Sequence, residues 1–282
     1  MRGEIGTTVS KGLSGIFSGI KTKSDEKVLI SRIKRGIDNK EFRMHPQFIV
    51  DNKTKRIVSG EALSRWESPE EGIIMPGKYI GVMEKSGLIV SFDYYMFEMV
   101  CEKLNAWSAT EFCDVTMSCN FTRITISESD FVEKIKNIAE KYDFDRSKLI
   151  IEITEDFIEK NAEMAIRNIK QIKELGFTIA LDDVGSGYTT LLSLCEYPID
   201  IVKLDREMLL HTNKENGRKL FLGIISLIHD MNLKVVCEGV ETEEHNDLVS
   251  QSKCDYIQGW YYAKALPEKV AENFYREYMQ KV

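Results

Sequence analysis

Apolar residues along this chain follow two rhythms. In one, compact apolar runs are closed off by polar residues or glycine. In the other, apolar positions recur every three or four residues, the spacing of one helix face. The first rhythm predicts strands at Arg43–Val50, Ile57–Trp66, Val115–Phe121, Leu149–Thr154, Thr178–Asp182, Ile201–Leu204, Lys234–Cys237 and Tyr256–Trp260. The second predicts helices near 25–38, 78–86, 92–107, 128–142, 157–175, 188–196, 206–211, 216–231, 242–250 and 267–281. Glu163, Arg167 and Lys170 have the charge spacing of a solvent-facing helix side. Asn52-Lys-Thr-Lys55 joins the first two strands too tightly for a parallel crossover, so one early strand is expected to run antiparallel to the others. About eight strands, mostly separated by helices and without a domain-breaking linker, predict an α/β fold: a TIM-like (β/α)8 barrel with one antiparallel strand.

Composition sharpens this outline at three points. Hydrophobic content of 43% with 29% charged residues describes a soluble globular chain. A net charge of −7 and a pI of about 5.4 argue against a nucleic-acid polymer as partner, whose footprint is basic. A small phosphorylated ligand stays open, since a few cations in a cleft suffice. The six cysteines (101, 113, 119, 195, 237, 254) form no C-x-x-C pair and lie partly inside apolar runs, as reduced core residues of a cytoplasmic protein do. No run has the ~18 consecutive apolar residues of a membrane span. The first 24 residues stand apart, with Arg2, Lys11, Lys21 and Lys23 against Glu4. Val9, Leu13, Ile16, Phe17 and Ile20 fall at helical spacing, but Gly12, Gly15 and Gly19 each weaken a helix by roughly 1 kcal/mol. Residues 1–26 are therefore read as a flexible or helical tail, with a weak membrane or partner contact through 1–24 as the minority alternative.

The chemistry concentrates on Ile179-Ala-Leu-Asp-Asp-Val-Gly-Ser-Gly-Tyr188, where an apolar run meets two adjacent carboxylates and then a pliable turn. Neighbouring strand residues point to opposite faces, so Asp182 and Asp183 are expected to converge only where the strand is ending. Two carboxylates about 4 Å apart repel by ~4 kcal/mol at an effective dielectric of ~20, which calls for a cation nearby. The plain alternative is a solvated turn. At the C-terminal ends of the other expected strands lie Glu61, Asn120, Glu152, Glu155, Lys203, Asp205, Glu238, Glu241 and Gln258, and in a barrel that end carries the chemistry. Carboxylates with an amide, and no Cys or His, form a hard oxygen donor set suited to Mg2+ or Mn2+. Two such ions about 3.5–4 Å apart, bridged by Asp182 or Asp183, polarise a phosphodiester and lower the pKa of a shared water. Lys203 either orients that water and neutralises phosphoryl charge or is held in an ion pair with Asp205 or a neighbouring Glu. Arg65 suits bidentate phosphate or guanine contact, or is a surface strand residue. Trp260 suits base stacking, or is a core or rim aromatic. The four histidines do not cluster.

From about residue 27 to the C-terminus, the chain resembles the EAL-domain cyclic-di-GMP phosphodiesterases. The motif is present as Glu61-Ala62-Leu63. Glu152-Ile-Thr-Glu155, Asp182-Asp183-Val-Gly-Ser-Gly-Tyr188, Lys203-Leu-Asp205, Glu238-Gly-Val-Glu241-Thr and Gln258-Gly-Trp260 follow in order. The resemblance implies a 27–282 phosphodiesterase domain that hydrolyses cyclic di-GMP to linear pGpG with two Mg2+ or Mn2+ ions. It implies that Glu61, Asn120, Glu152 and Asp182 hold one ion, and Asp182, Asp183 and Glu238 the other. Lys203 would contact the nucleophilic water, with Glu241 and Gln258 close by and Glu155 steadying the loop after the aspartates. Gln47, Leu63, Arg65, Asp205 and Trp260 fall where the family contacts the dinucleotide, and family members often form homodimers.

The chain departs from the family pattern at Val184 (usually Phe), Ser186 (usually Thr), Thr189-Thr190 (commonly Ser-Ser), Cys237 (commonly Ala), Trp260 (commonly Tyr) and Pro46-Gln-Phe48 (commonly Tyr-Gln-Pro). None of these removes an expected metal ligand. The rival expectation is a non-catalytic cyclic-di-GMP receptor.

Overall fold

A computed structural model describes residues 23–154, 162–185 and 193–282. The tail through residue 22, Glu155, the start of the helix expected at 157–175 and most of the loop after the aspartates lie outside them. The chain divides into two compact units, one of residues up to 43 with 64–89, the other of 44–63 with 90–282.

The smaller unit contains α1 (Lys23–Asp38), α2 (Ile80–Ser86) and a three-residue strand not anticipated from the sequence. Strands of the chain are numbered β1 (Phe42–Asp51), β2 (Ile57–Ser68) and, for this short one, β3 (Gly72–Ile74). β3 pairs antiparallel with the end of β2, Trp66 opposite Ile74. Phe42 stacks on Trp66 with centroids 5.2 Å apart and meets Tyr79 edge-on at 5.2 Å. Trp66 Nε1 donates to Glu41 Oε2 at 2.8 Å, so the buried indole keeps its polar end paired. Gly87 ends α2 with φ 75°, the left-handed cap conformation that favours glycine.

The larger unit is the barrel. It adds β4 (Thr116–Phe121), β5 (Leu149–Thr154), β6 (Thr178–Val184), β7 (Ile201–Leu204), β8 (Lys234–Cys237) and β9 (Tyr256–Gln258). Around them run α3 (Leu88–Trp107), α4 (Arg123–Ile126), α5 (Phe131–Ala139), α6 (Ala162–Glu174), α7 (Ser193–Glu196), α8 (Arg206–Leu210), α9 (Glu215–Asp230), α10 (Glu243–Gln251) and α11 (Glu268–Met279). The hydrogen-bonded order is β1-β9-β8-β7-β6-β5-β4-β2, and pairing of β1 with β2 closes the ring. The ladders β2–β4–β5–β6–β7–β8–β9 are parallel, whereas β1 runs antiparallel to β9. This is the expected TIM-like barrel with its one reversed strand. The reversal is made where Asp51 Oδ1 accepts from the backbone nitrogens of Lys53 and Thr54 at 3.1 and 2.7 Å, a side chain shaping its own turn.

Of the strand ends that differ from expectation, two bear on the site. The last strand stops at Gln258 rather than Trp260. A Cβ on Gly259 would lie 2.1 Å from the Val240 carbonyl oxygen, so the chain turns there with backbone pressed on backbone. β6 runs on through Val184 instead of ending at Asp182. Among the described residues, no helix is long and apolar enough to cross a membrane. Cys101, Cys119, Cys237 and Cys254 are buried and Cys113 and Cys195 exposed, all of them free thiols.

Candidate active site

Asp182 and Asp183 converge by a device the periodicity does not reveal. Along β6 and β7, Leu181 faces Val202 and Val184 faces Leu204. Two residues of β6 therefore stand opposite Lys203 alone, which is a β-bulge. Asp183 takes φ 60°, the left-handed region, at a cost of roughly 1 kcal/mol for a residue with a Cβ. Its backbone nitrogen donates to Asp182 Oδ1 at 3.0 Å. The convergence thus comes from the extra residue within the strand, not from its end.

Lys203 is the hub beneath them. It is 1% exposed, and Nζ lies 2.8 Å from Glu238 Oε1, 3.0 Å from Glu152 Oε1, 3.1 Å from Asp182 Oδ1 and 3.3 Å from Glu61 Oε2. Each of these residues comes from a different strand or strand end, which is how a parallel barrel gathers side chains from distant sequence. Of the two sequence readings for Lys203, the ion pair with neighbouring glutamates is the one these contacts show, with Glu61, Glu152 and Glu238 as partners.

Glu61 is further fixed by two amides. Gln258 Nε2 donates to its Oε2 at 2.7 Å and Asn120 Nδ2 to its Oε1 at 2.9 Å. Burial pushes the Glu61 carboxyl up, but Lys203 and the two amides outweigh it and hold the group below the ordinary glutamate range. The others go the opposite way. Burial, reinforced by neighbouring carboxylates and opposed by Lys203, raises Glu152 and Asp182. The same causes bring Glu238 to about 8. Asp183 rises to about 6 through burial, then Asp182 and Asp205. Burial pulls the Lys203 ammonium down, but the four carboxylates outweigh it and hold the group well above the ordinary lysine range.

Carboxylate oxygens of Glu61, Glu152 and Asp182 lie within 4.8 Å of one another, and so do those of Asp182, Asp183 and Glu238. Asp182 belongs to both groups. Five acids face one ammonium, so the fully ionised cluster is strongly negative in a buried place where uncompensated charge is costly. Hard oxygen donors with a surplus of negative charge fit a divalent cation.

The remaining expected residues are spread more widely. Gln47 Nε2 donates to the Ala263 carbonyl at 3.1 Å, and its Oε1 accepts from Gln258 Nε2 at 3.5 Å. Leu63 is half-buried midway along β2. Asp205 caps α8, accepting from the Glu207 backbone nitrogen at 2.8 Å. Glu241 is exposed and paired with Arg206 at 3.3 Å. Trp260 is 59% exposed, with Lys264 Nζ 5.1 Å from its ring centroid. Arg65 belongs to the smaller unit, where its Nη1 donates to the Ser64 carbonyl at 2.8 Å. Glu155 lies outside the described residues. Arg206 and Lys264 were not singled out in the sequence; their only signal there is adjacency to Asp205 and to the Gln258-Gly-Trp260 run.

Comparison with known proteins agrees with this geometry. Residues 30–265 match the EAL domain family. The chain is 27% identical over 280 residues to the cyclic di-GMP phosphodiesterase PdeR of Escherichia coli, covering 97% of this chain and 42% of that protein. It is 27% identical over 240 residues to MucR of Pseudomonas aeruginosa, a bifunctional diguanylate cyclase/cyclic di-GMP phosphodiesterase, covering 85% of this chain and 35% of MucR. The chain therefore spans less than half the length of these relatives. Among solved structures, the MucR phosphodiesterase in complex with c-di-GMP superposes with a TM-score of 0.81 at 26% identity, covering 86% of this chain and 99% of that one. A closed barrel with one reversed strand, a carboxylate cluster around a buried lysine and a match over residues 30–265 lead to one conclusion: the chain belongs to the EAL domain family.

Proposed function

We propose that residues 27–282 form a metal-dependent phosphodiesterase module that hydrolyses cyclic di-GMP to linear pGpG. The observation that carries the proposal is the cluster around Lys203, where two carboxylate groups share Asp182. Glu61, Asn120, Glu152 and Asp182 would hold one divalent cation, and Asp182, Asp183 and Glu238 a second. Mg2+ or Mn2+ suits these oxygen donors. Bound there, the ions supply positive charge that polarises a phosphodiester and lowers the pKa of a water.

The chain's own residues do the rest. Asn120 and Gln258 fix the Glu61 carboxylate from both oxygens, so that donor is oriented in advance. Lys203 Nζ, charged and shielded from bulk solvent, donates to the attacking water or to a phosphate oxygen as negative charge develops. The water oxygen would bond to one phosphorus as the bond from that phosphorus to the ribose 3′ oxygen breaks, one water proton ending on the released 3′ hydroxyl, and the ring opens once. The exposed face of Trp260 suits stacking on a guanine. Gln47, Leu63, Asp205 and Gln258 complete the proposed dinucleotide contacts within the larger unit. The proposal extends to a cytoplasmic homodimer, as the free cysteines and the family resemblance suggest.

The deciding experiment incubates the purified chain with cyclic di-GMP and Mn2+ and separates the products by chromatography. Formation of pGpG that is lost in Asp183→Asn supports the proposal. Recovery of unchanged cyclic di-GMP, bound or unbound, refutes it.

A further inference from the structure

Asn120 reaches across to Glu61, yet the ladder between their strands stops short of it. β2 and β4 pair at Ser59–Thr116, Gly60–Met117 and Glu61–Ser118. Asn120 stands beyond the last of these pairs, and its ladder partner is Glu152 of β5, on the other side. The β2–β4 ladder therefore does not fix the place from which Asn120 Nδ2 donates to Glu61 Oε1 at 2.9 Å.

A helix fastens that strand end instead. Asp93, in the second turn of α3, is 5% exposed. Its Oδ2 accepts from the Thr122 backbone nitrogen at 3.0 Å, from Thr122 Oγ1 at 2.8 Å and from Thr125 Oγ1 at 2.6 Å. Thr122 follows β4 directly and is the N-cap of α4, but its hydroxyl does not cap its own helix; it turns to Asp93. One carboxylate oxygen thus gathers three donors where β4 becomes α4. An ordinary threonine cap would start α4 without burying a charge. A buried carboxylate is costly unless hydrogen bonds replace its hydration, and bonds to an ionised acceptor are the shorter and stronger kind. What the acid adds over a local cap is a tie between the strand end and a long helix of the barrel wall.

We propose that Asp93 is a positioning residue: through the turn from Thr122 to Thr125 it sets the end of β4 so that the Asn120 amide meets Glu61. Its bearing on hydrolysis rests on the phosphodiesterase reading, whereas the contact between Asn120 and Glu61 is measurable in the metal-free chain.

Exchange of the Asn120 side-chain amide protons with water, followed by NMR of the full chain in EDTA, reads that contact without metal or turnover. Asp93→Ala is expected to speed the exchange about tenfold. Asp93→Asn, which keeps an acceptor oxygen for the same donors, is expected to stay within about twofold of wild type. Asn52→Ala controls for mere loss of stability, since Asn52 is 6% exposed and its Nδ2 donates to the Val249 and Cys254 carbonyls; it should leave Asn120 exchange unchanged. Calorimetric titration with Mg2+ is expected to show about tenfold weaker binding in Asp93→Ala and none of that loss in Asn52→Ala. A wild-type chain that binds no Mg2+ would sink the metal-centre reading and leave the exchange rates to decide on Asp93. Should Asp93→Ala fail to fold, Thr125→Val, which removes one of the three donors and keeps the shape, is expected to speed exchange about threefold. Exchange unchanged in Asp93→Ala (or in Thr125→Val if the former does not fold), raised as much in Asn52→Ala, or as fast in Asp93→Asn as in Asp93→Ala would each overturn the proposal.

Discussion

Replacing Lys203 by methionine keeps an unbranched side chain one atom shorter and deletes its charge. In the wild-type chain its ammonium lies 2.8 to 3.3 Å from four carboxylates. At an effective dielectric of ~20, each contact near 3 Å represents about 5 kcal/mol of gross Coulomb attraction. Desolvation of the buried ammonium and repulsion among the acids consume much of that sum, and removing one member of a buried ion cluster costs roughly 3–5 kcal/mol net. For a chain of this size that lowers Tm by about 6–20 °C. The loss should depend on pH in a definite direction. Glu238 already titrates at about 8, well above an unfolded glutamate, with Lys203 opposing the rise. A group with a raised folded pKa contributes stability at low pH and loses it as pH climbs through the folded value. Without Lys203 this effect grows, so the variant loses more stability at pH 8 than at pH 6. Divalent cations should replace the missing charge. Calorimetric melts in EDTA and in about 10 mM Mg2+ are therefore expected to show a large drop without metal and less than half of it with metal. A variant that melts within about 2 °C of wild type in EDTA at pH 8, or loses the same amount with and without Mg2+, would show that Lys203 is not the internal counter-ion of the cluster.

Asp183→Asn should retain the fold, because Asn tolerates the left-handed backbone, and should melt no lower than wild type since one repelling charge is gone. Its cyclic di-GMP hydrolysis is expected to fall about 10^3-fold or more, checked by product chromatography. Mg2+ affinity should rise from pH 6 to pH 8, because a cation must displace the protons held by Asp183 at about 6 and Glu238 at about 8. Titration calorimetry in two buffers of different ionisation heat will count the released protons, and a pH-independent affinity would contradict the assignment. Gly259→Ala would place a Cβ 2.1 Å from the Val240 carbonyl oxygen and 2.4 Å from its nitrogen. Backbone cannot yield as a side chain does, so a loss above about 2 kcal/mol is expected in denaturant unfolding.

Much of this molecule is legible in its sequence because the barrel repeats one local rule. Each buried parallel strand is a dense apolar run, and a charged residue within it or just past its end stands out against that background. Glu61, Glu152, Lys203 and Glu238 are visible in this way. The tight turn at Asn52–Lys55 likewise betrays the reversed β1. What periodicity does not carry is any departure from the period. The bulge in β6 changes the pairing of Asp183 without changing composition, so it cannot be seen until β7 is placed beside it. β3 is too short to show a period, and its exposed residues carry no core signal. The contacts of Lys203 join residues up to 142 positions apart in sequence, a distance over which local patterning is silent.

The bulge at Asp182-Asp183 has a consequence for how such a site can arise and be lost. On a regular strand the two residues would face opposite sides, and no single substitution could bring a second carboxylate to the same point. The pair rests on one extra residue in the strand, so an insertion is needed to create the bulge and a deletion removes bulge and second carboxylate together. Deleting one residue here would restore the β6–β7 ladder, relieve the left-handed backbone and leave a barrel with a smoother wall. The descendant of such an event would keep its fold and its neighbours' acids while losing the doubled carboxylate in one step, with no intermediate sequence to pass through.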